Sequence, residues 1–492
     1  MNRLPYVAAA CIIVAAGCDR REPIDPPDGL PLAVVDADFY EDGAPSEAKV
    51  ELGRLLFFDK ILGGNKNIAC STCHHPSLAT SDGLPLGFGE GPQGLGEARR
   101  PGADDPATAV HERIPRNSPA LFNLGAREFS VLFHDGRVEA DPEGFYEGGF
   151  ITPAKWKLPT GLETVLAAQA MFPVGSPTEM AGQKGENPIA EAKSLNNMSG
   201  SGGVWERLAG RLAEIPEYVE RFGAAFPEQI GGAEDIRYTH AANAIAAFEA
   251  VAFRSDDSPF DRYVRGDRTA LSAAEGRGMH LFYGRAGCAE CHSGKFQTDH
   301  EFHAIAMPQI GPGKSDGTDA DFWRKTGERA FVEDFGRGRV TVRPEDGFKF
   351  RTPSLRNVEL TGPWGHAGTY VSLEAVVRHH LDPIASLDAY ALEEGLLPEI
   401  PAALELTMEG SNLRQDFLSE RRLGRFLEKD MWIASNEPLR ARIAAANELE
   451  PMQLTDDEVE DLLAFLRALT DPSARQITDE VPETVPSRLR VD

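Results

Sequence analysis

The sequence predicts a mainly α-helical protein made of two similar units with extensive loops. Three observations carry that expectation. At 492 residues the chain exceeds what one compact core normally organises, so two or three domains are expected. Apolar residues recur at helical spacing, while strand signals are few. One order of motifs also occurs twice: Cys-x-x-Cys-His, then a segment containing Arg, Pro, Leu and Asn, then His-x-Gly. Such self-similarity marks a repeated supersecondary unit.

The elements follow in chain order. "MNRLPYVAAACIIVAAGCDRREP" opens with Arg3 and an apolar run too short to span a bilayer comfortably. It ends in Ala15-Ala16-Gly17-Cys18, which resembles a bacterial lipobox. On that reading residues 1–18 are a lipoprotein-type signal and Cys18 carries the lipid. Plain secretion after a small-residue site is the alternative. Both put the mature chain outside the cytoplasm; the lipobox reading makes it periplasmic, with membrane contact through the lipid anchor only. Residues 19–46, rich in Pro and Asp, read as a tether. "SEAKVELGRLLFFD" (46–59) groups Val50, Leu52, Leu55 and Leu56 near one helix face. The Gly- and Pro-rich stretch 83–115 is a loop long enough to be functional. "YVERFGAAF" and "THAANAIAAFEAVAF" (239–253) are amphipathic helices, and "RSDDSPFDRYVRGD" (254–267) breaks the pattern near a domain boundary. "SAAEGRGMHLFYG" (272–284) is the counterpart of 46–59. "LTDDEVEDLLAFLRALTD" (454–471) begins with a capping box, Thr455 to Glu458, and carries Val459, Leu462, Leu463 and Leu466 as its stripe. Residues 389–450 read as an insertion without a legible role, and 473–492 as a tail.

A net charge of −27 argues against a nucleic-acid partner, which would need a basic face. It suits a basic protein partner, or simply a solvated acidic surface. Of six cysteines, Cys11 and Cys18 fall in the signal. The other four form two pairs, each followed by histidine: "CSTCH" (Cys70, Cys73, His74) and "CAECH" (Cys288, Cys291, His292). Zinc would want its ligand pairs within about 20 residues of each other. These lie more than 200 residues apart. A redox dithiol has no need of the adjacent histidine. Covalent haem c needs all three residues, two thiols for the vinyl groups and an imidazole for the iron.

These motifs, with "ELGRLLFFDK", "RNSPALFN", "DGR" at 135–137, "FPVGSPTEM", "FDRYVRGD" and "FRTPSLRNVELTGPWGHAG", resemble the bacterial di-haem cytochrome c peroxidase family, which includes MauG. The resemblance covers about residues 46–472. It implies two cytochrome c-like domains in a pseudo-two-fold relation, each with one c-type haem. The N-terminal domain, 47–254, would be peroxidatic, and the C-terminal domain, 255–472, would transfer electrons. It further implies Glu179 as the group that moves a proton across peroxide, with Gln169 as its companion. Read from the residues alone, Ser176-Pro177-Thr178-Glu179 is equally a capping box.

Other positions depart from the family pattern. Where relatives carry a distal histidine that blocks the first iron, this chain has Phe88, or His111 by a second count. An open iron is expected. His75 reads as a surface residue, and His134 replaces the usual bridging tryptophan, with Trp364 as a substitute. A calcium ion is implied at Asn117, Thr361 and Pro363. In "SLEAVVRHHLDP" (372–383), Leu373, Val376, Val377 and His380 share a helix face. His380 also holds the family position for the sixth ligand of the second haem, ahead of His379 and Met307. The implied partners are hydrogen peroxide and a small c-type cytochrome or copper protein as electron donor. A homodimer is compatible. Three functions stand: a peroxidase, a MauG-like oxidant of a protein or other substrate, and a non-enzymatic electron carrier.

Overall fold

The computed structural model describes residues 22–314, 333–392 and 395–492. The signal reading, Cys18 included, and the first tether residues lie outside them. The helices that frame the site are α1 (Glu47–Phe58), α2 (Tyr238–Ala252), α3 (Ala273–Phe282), α4 (Leu373–Leu381), α5 (Glu420–Leu427) and α6 (Asp456–Arg467). Strands are few and short. β1 (Val131–Leu132), β2 (Val138–Ala140) and β3 (Phe150–Ile151) form an antiparallel sheet, and β4 (Phe302–His303) pairs with β5 (Phe350–Arg351).

Each helix that precedes a Cys-x-x-Cys-His motif crosses a later helix at a glycine. A Cβ on Gly53 of α1 would lie 1.9 Å from the Ala244 carbonyl oxygen in α2. A Cβ on Gly278 of α3 would lie 1.8 Å from the Asp461 carbonyl oxygen in α6. No side chain fits either contact, so the backbones touch directly and the motifs that follow start from fixed points. The two pairs nucleate separate aromatic clusters. Phe57, Phe58, Phe248 and Phe253 meet around α1 and α2, and Phe260, Phe282 and Phe465 around α3 and α6. The capping box is present at α6, where the Glu458 amide donates to Thr455 Oγ1 at 3.3 Å and the Thr455 amide to Glu458 Oε2 at 2.9 Å. Its four predicted apolar residues are buried.

Two segments do more than the sequence indicated. The tail folds back onto the first half, where Ser487 Oγ donates to Asp59 at 2.6 Å and Thr72 Oγ1, inside the first motif, donates to Asp492 at 2.5 Å. The insertion holds a hairpin, β6 (Leu404–Glu409) with β7 (Asn412–Phe417), followed by α5. It covers the long 83–115 loop. The Leu404 amide donates to the Val110 carbonyl at 2.8 Å. Phe88, Val110, Ile400 and Ala403 form one buried cluster, flanked by Leu423, Phe426 and Leu427. Among the described residues, no helix is long and apolar enough to cross a membrane.

If the glycine contacts set the helix crossings, Gly53→Ala and Gly278→Ala should each cost about 1–3 kcal/mol through overpacking. Gly424→Ala in α5, where a Cβ meets nothing within 4 Å, should cost nothing and gain up to about 1 kcal/mol from helix propensity. Thermal or urea unfolding of the three variants decides this; equal midpoints for all three would contradict the crossing geometry.

Candidate functional site

The two motifs are built alike. Cys70–Cys73 forms a single helical turn and His74 ends it. His74 Nδ1 lies 3.0 Å from the Thr80 carbonyl oxygen. His292 Nδ1 lies 3.1 Å from the Gln297 carbonyl oxygen. Both carbonyl-bearing residues adopt left-handed backbone, φ 60° at Thr80 and 50° at Gln297, which turns the carbonyl back towards the ring. An imidazole that donates Nδ1–H to a carbonyl presents its Nε2 lone pair on the opposite side, the arrangement a metal needs. Burial lowers the pKa of both rings, that of His292 to about 4, so both are neutral and ligand-competent at physiological pH.

None of the four motif cysteines forms a disulfide. Burial pushes Cys70, Cys73 and Cys288 up to about 12 and raises Cys291 as well. A reactive dithiol needs a depressed pKa, so these pairs do not suit redox exchange. They fit covalent attachment of haem c: two thiols and one neutral, oriented imidazole stand within five residues at each motif.

On α4 the two neighbouring histidines differ. His380 Nδ1 is engaged by the Val376 carbonyl at 2.7 Å, which leaves Nε2 free, and its ring centroid is 6.4 Å from that of His292. His379 uses both nitrogens, Nδ1 with the Tyr370 hydroxyl at 3.0 Å and Nε2 with the Ile305 carbonyl at 2.8 Å. Met307 is buried, with Sδ accepting from Thr369 Oγ1 at 3.6 Å.

The first motif has an apolar residue beside it. Phe88 is fully buried; its carbonyl accepts from Arg99 Nε at 3.0 Å and lies 3.9 Å from Cys73 Sγ. The next residue, Gly89, packs on the turn that carries Glu179, where a Cβ would lie 1.9 Å from the Thr178 carbonyl oxygen. That turn spans Pro177–Ala181. Ser176 Oγ accepts from the Glu179 amide at 3.3 Å, so half of the capping box exists. The Glu179 carboxylate takes no part in it and faces Lys314 Nζ at 3.5 Å. Gln169 sits half-buried on the helix Val165–Ala170. His111 is engaged elsewhere, with Nε2 3.4 Å from Glu186. His75 is not on the surface: it is 6% exposed, accepts from the Ser77 amide and meets Phe58 edge-on. It caps a local turn, and the apolar wall behind that turn buries the ring.

The halves meet through buried charge. Arg116 lies 2.6 Å from Asp334 and 2.8 Å from Asp135, and Arg137 is 3.1 Å from Asp135. Burial alone would raise both carboxyls, yet Arg116 leads the cations that hold them far below the usual range. Beside this network, the His134 carbonyl accepts from the Arg351 amide at 2.8 Å, and His366 stacks on Phe350 at 3.7 Å. Burial and the Arg116 charge keep the His134 imidazole well below its ordinary pKa. Trp364 Nε1 donates within the second half, to the Val358 carbonyl at 3.0 Å. Of the residues implied for calcium, Asn117 and Pro363 come together: Asn117 Nδ2 donates to the Pro363 carbonyl, and Asn117 Oδ1 is buried without a partner. Thr361 is half-buried and donates to the Val358 carbonyl. Lys314 and the Asp334 contact were missed by sequence reasoning, because both join positions more than 100 residues apart.

Comparison with known proteins agrees with this geometry. The family model described as di-haem cytochrome c peroxidase matches residues 47–269. The methylamine utilization protein MauG of Methylorubrum extorquens is 31% identical over 338 residues, 68% of this chain and 68% of that protein. Cytochrome-c peroxidase IdrP1 of Denitromonas iodatirespirans is 31% identical over 391 residues, 76% of this chain and 82% of that protein. A crystal structure of a MauG-like protein associated with microbial copper homeostasis aligns with a TM-score of 0.53 at 24% identity. It covers 93% of this chain and 98% of that one, a likeness of fold.

The Asp135 and Asp334 carboxyls ionise more readily folded than unfolded. The stability they add is therefore present above the ordinary carboxylate range and lost as pH falls through it towards their folded values. Arg116→Met should lower stability at neutral pH by about 3–5 kcal/mol and flatten the loss of stability in acid. Urea unfolding across that pH range measures both, and an unchanged midpoint would show that the network contributes nothing.

Proposed function

The chain belongs to the di-haem cytochrome c peroxidase family, and on that premise we propose that it reduces hydrogen peroxide to water with electrons from a small cytochrome or copper protein. It is an oxidoreductase, so the reading as a mere electron carrier falls. The family implies two haem c groups per chain. We assign one to Cys70, Cys73 and His74 in an N-terminal domain, 47–254, and the other to Cys288, Cys291 and His292 in a C-terminal domain, 255–472. The glycine-locked helix pairs and the carbonyl-anchored histidines support a pseudo-two-fold relation between the two. The bound haems supply the iron at which peroxide is cleaved and the path by which electrons arrive.

One observation carries the peroxidatic assignment. The Glu179 turn, Phe88 and Cys73 are packed together although they come from three separate stretches of sequence. Phe88 offers no ligand there, and His111 is paired with Glu186, so the first site stays open to peroxide. Glu179 takes the proton from the oxygen that approaches the first site and returns it to the departing oxygen, which leaves as water. Gln169 assists by holding the substrate. The oxygen left behind then takes two electrons from the donor and two protons from solvent, so the balance is two waters per peroxide. His380, with Nδ1 engaged by the Val376 carbonyl and its ring 6.4 Å from that of His292, is assigned as sixth ligand of the second haem. We also assign calcium to Asn117, Thr361 and Pro363; the Asn117 side chain already reaches the Pro363 carbonyl, and its Oδ1 is buried without a partner. A periplasmic location, with a lipid anchor at Cys18, completes the reading.

A second reading, oxidation of a protein or other substrate, gains support from the His292–His380 pair. Thioether ligation raises a haem potential, and a bis-imidazole pair lowers it relative to that. A low potential favours holding oxidising equivalents for a slower reaction.

Glu179→Gln should leave both haem spectra intact and slow the peroxide reaction by about 10²-fold or more. If turnover is unchanged, Glu179 does not move the proton. His380→Ala should convert the second haem from low to high spin in its absorption and resonance spectra, while His379→Ala should not. The opposite pattern would exchange the two assignments.

A further inference from the structure

We propose that Lys314, delivered from the second half of the chain, is a positioning residue for the peroxide reaction that fixes the Glu179 carboxylate at the open site. The inference rests on Glu179 being the group that moves the proton. Lys314 Nζ lies 3.5 Å from Glu179 Oε1, and the two side chains keep 20% and 22% of their surface exposed. Each side chain is therefore mostly covered, with a fraction of its surface left exposed. Without a fixed partner, a glutamate on a single turn would sample several rotamers, and misplacement of the acid–base group by about 1 Å can cost 10²-fold in rate.

The backbone that carries Lys314 is held at several points. The Gln309 side chain clasps the Asp334 backbone from both sides, accepting from its amide at 2.8 Å and donating to its carbonyl at 2.9 Å. The Gly311 carbonyl accepts from Trp432 Nε1 at 3.0 Å, and its amide donates to the Asp430 carbonyl at 3.3 Å. Gly311 has φ +70°, and a Cβ there would lie 1.9 Å from Leu86, so the segment is pressed onto the 83–115 loop. Asp430 is tied to Arg113 of that loop at 3.0 Å. Trp432 and Asp430 belong to the insertion whose role the sequence left blank. The insertion thus buttresses the strip of backbone that aims Lys314.

The charges around the pair favour a directed contact. Lys314 is faced by Glu179 and Asp135, which attract it, and by Arg137 and Arg116, which repel it. Glu179 is faced by Lys314, Arg137 and Lys193. Burial pushes the Lys314 ammonium down to about 8, with Glu179 opposing and the two arginines adding to the shift. Its charge is present below that pH and lost above it, whereas an arginine in its place would stay charged.

The test uses the haem-loaded full chain, with K314M, K314R and E179Q compared across pH. Stopped-flow rates with peroxide and equilibrium binding of fluoride to the ferric protein are both recorded. The unaltered protein should show an alkaline decline centred near pH 8, where the ammonium is lost. K314M should be slower by about tenfold or more at neutral pH and lack that decline. It should also bind fluoride about tenfold more weakly there, through loss of a nearby positive charge. K314R should recover most of the rate and also lack the decline. A K314M protein with unaltered rate, fluoride affinity and decline would overturn the proposal. If K314M fails to fold or to load haem, a K314R protein that keeps the decline near pH 8 overturns it as well. An E179Q protein with full activity would instead overturn the reading of Glu179 on which the proposal stands. Slow E179Q beside normal K314M would remove Lys314 alone.

Discussion

The contact of Arg116 with Asp135 and Asp334 is the constraint on which the rest of the site depends. Arg116 follows the first haem motif, Asp135 opens the Asp-Gly-Arg segment, and Asp334 belongs to the second half of the chain. Removing three charges from water is expensive, and only close, multiply hydrogen-bonded geometry offsets the cost. That geometry fixes neighbours on both sides. The Asn117 amide donates to the His366 carbonyl at 2.9 Å, and the Asp334 backbone is the one that Gln309 clasps. The same buried triad therefore sets how the first motif faces the second half and where the Lys314 segment begins.

Each half repeats one local solution. A glycine lets two helices touch, the motif follows, and a left-handed residue turns its carbonyl onto the histidine. A histidine held in this way is neutral and points one lone pair in a fixed direction, which is the state a haem iron selects. The asymmetry between the halves comes from what stands opposite. Beside the first motif are buried Phe88 and the turn of Glu179; opposite the second is His380, its other nitrogen already satisfied. The surroundings of the two motifs therefore differ, although the motifs themselves are built alike.

Local features of this arrangement were legible in the sequence. The two Cys-x-x-Cys-His motifs, the capping box at Thr455, the apolar stripe of α6 and the helix-face position of His380 all depend on residues a few positions apart. What depended on distant contacts was not legible. His75 looks like any polar residue beside a ligand until Phe58 is packed against it. His379 and His380 differ only through Tyr370 and Ile305, which a helical pattern cannot show. The hairpin at 404–417 did carry a signal, the alternation Leu-Glu-Leu-Thr-Met-Glu, but its role as a cover for the 83–115 loop rests on Leu404 meeting Val110. Lys314 follows a Gly-Pro-Gly turn with nothing local to mark it, and only the fold brings it to Glu179.

The division into one open and one closed iron is the central claim, and the electron paramagnetic resonance spectrum of the fully oxidised wild-type protein tests it most directly. The account predicts one high-spin and one low-spin ferric haem in equal amounts, the low-spin species typical of two imidazole ligands. Two low-spin haems would mean that a side chain closes the first site against the placement of Phe88. Two high-spin haems would mean that His380 does not bind, and either result would contradict the account.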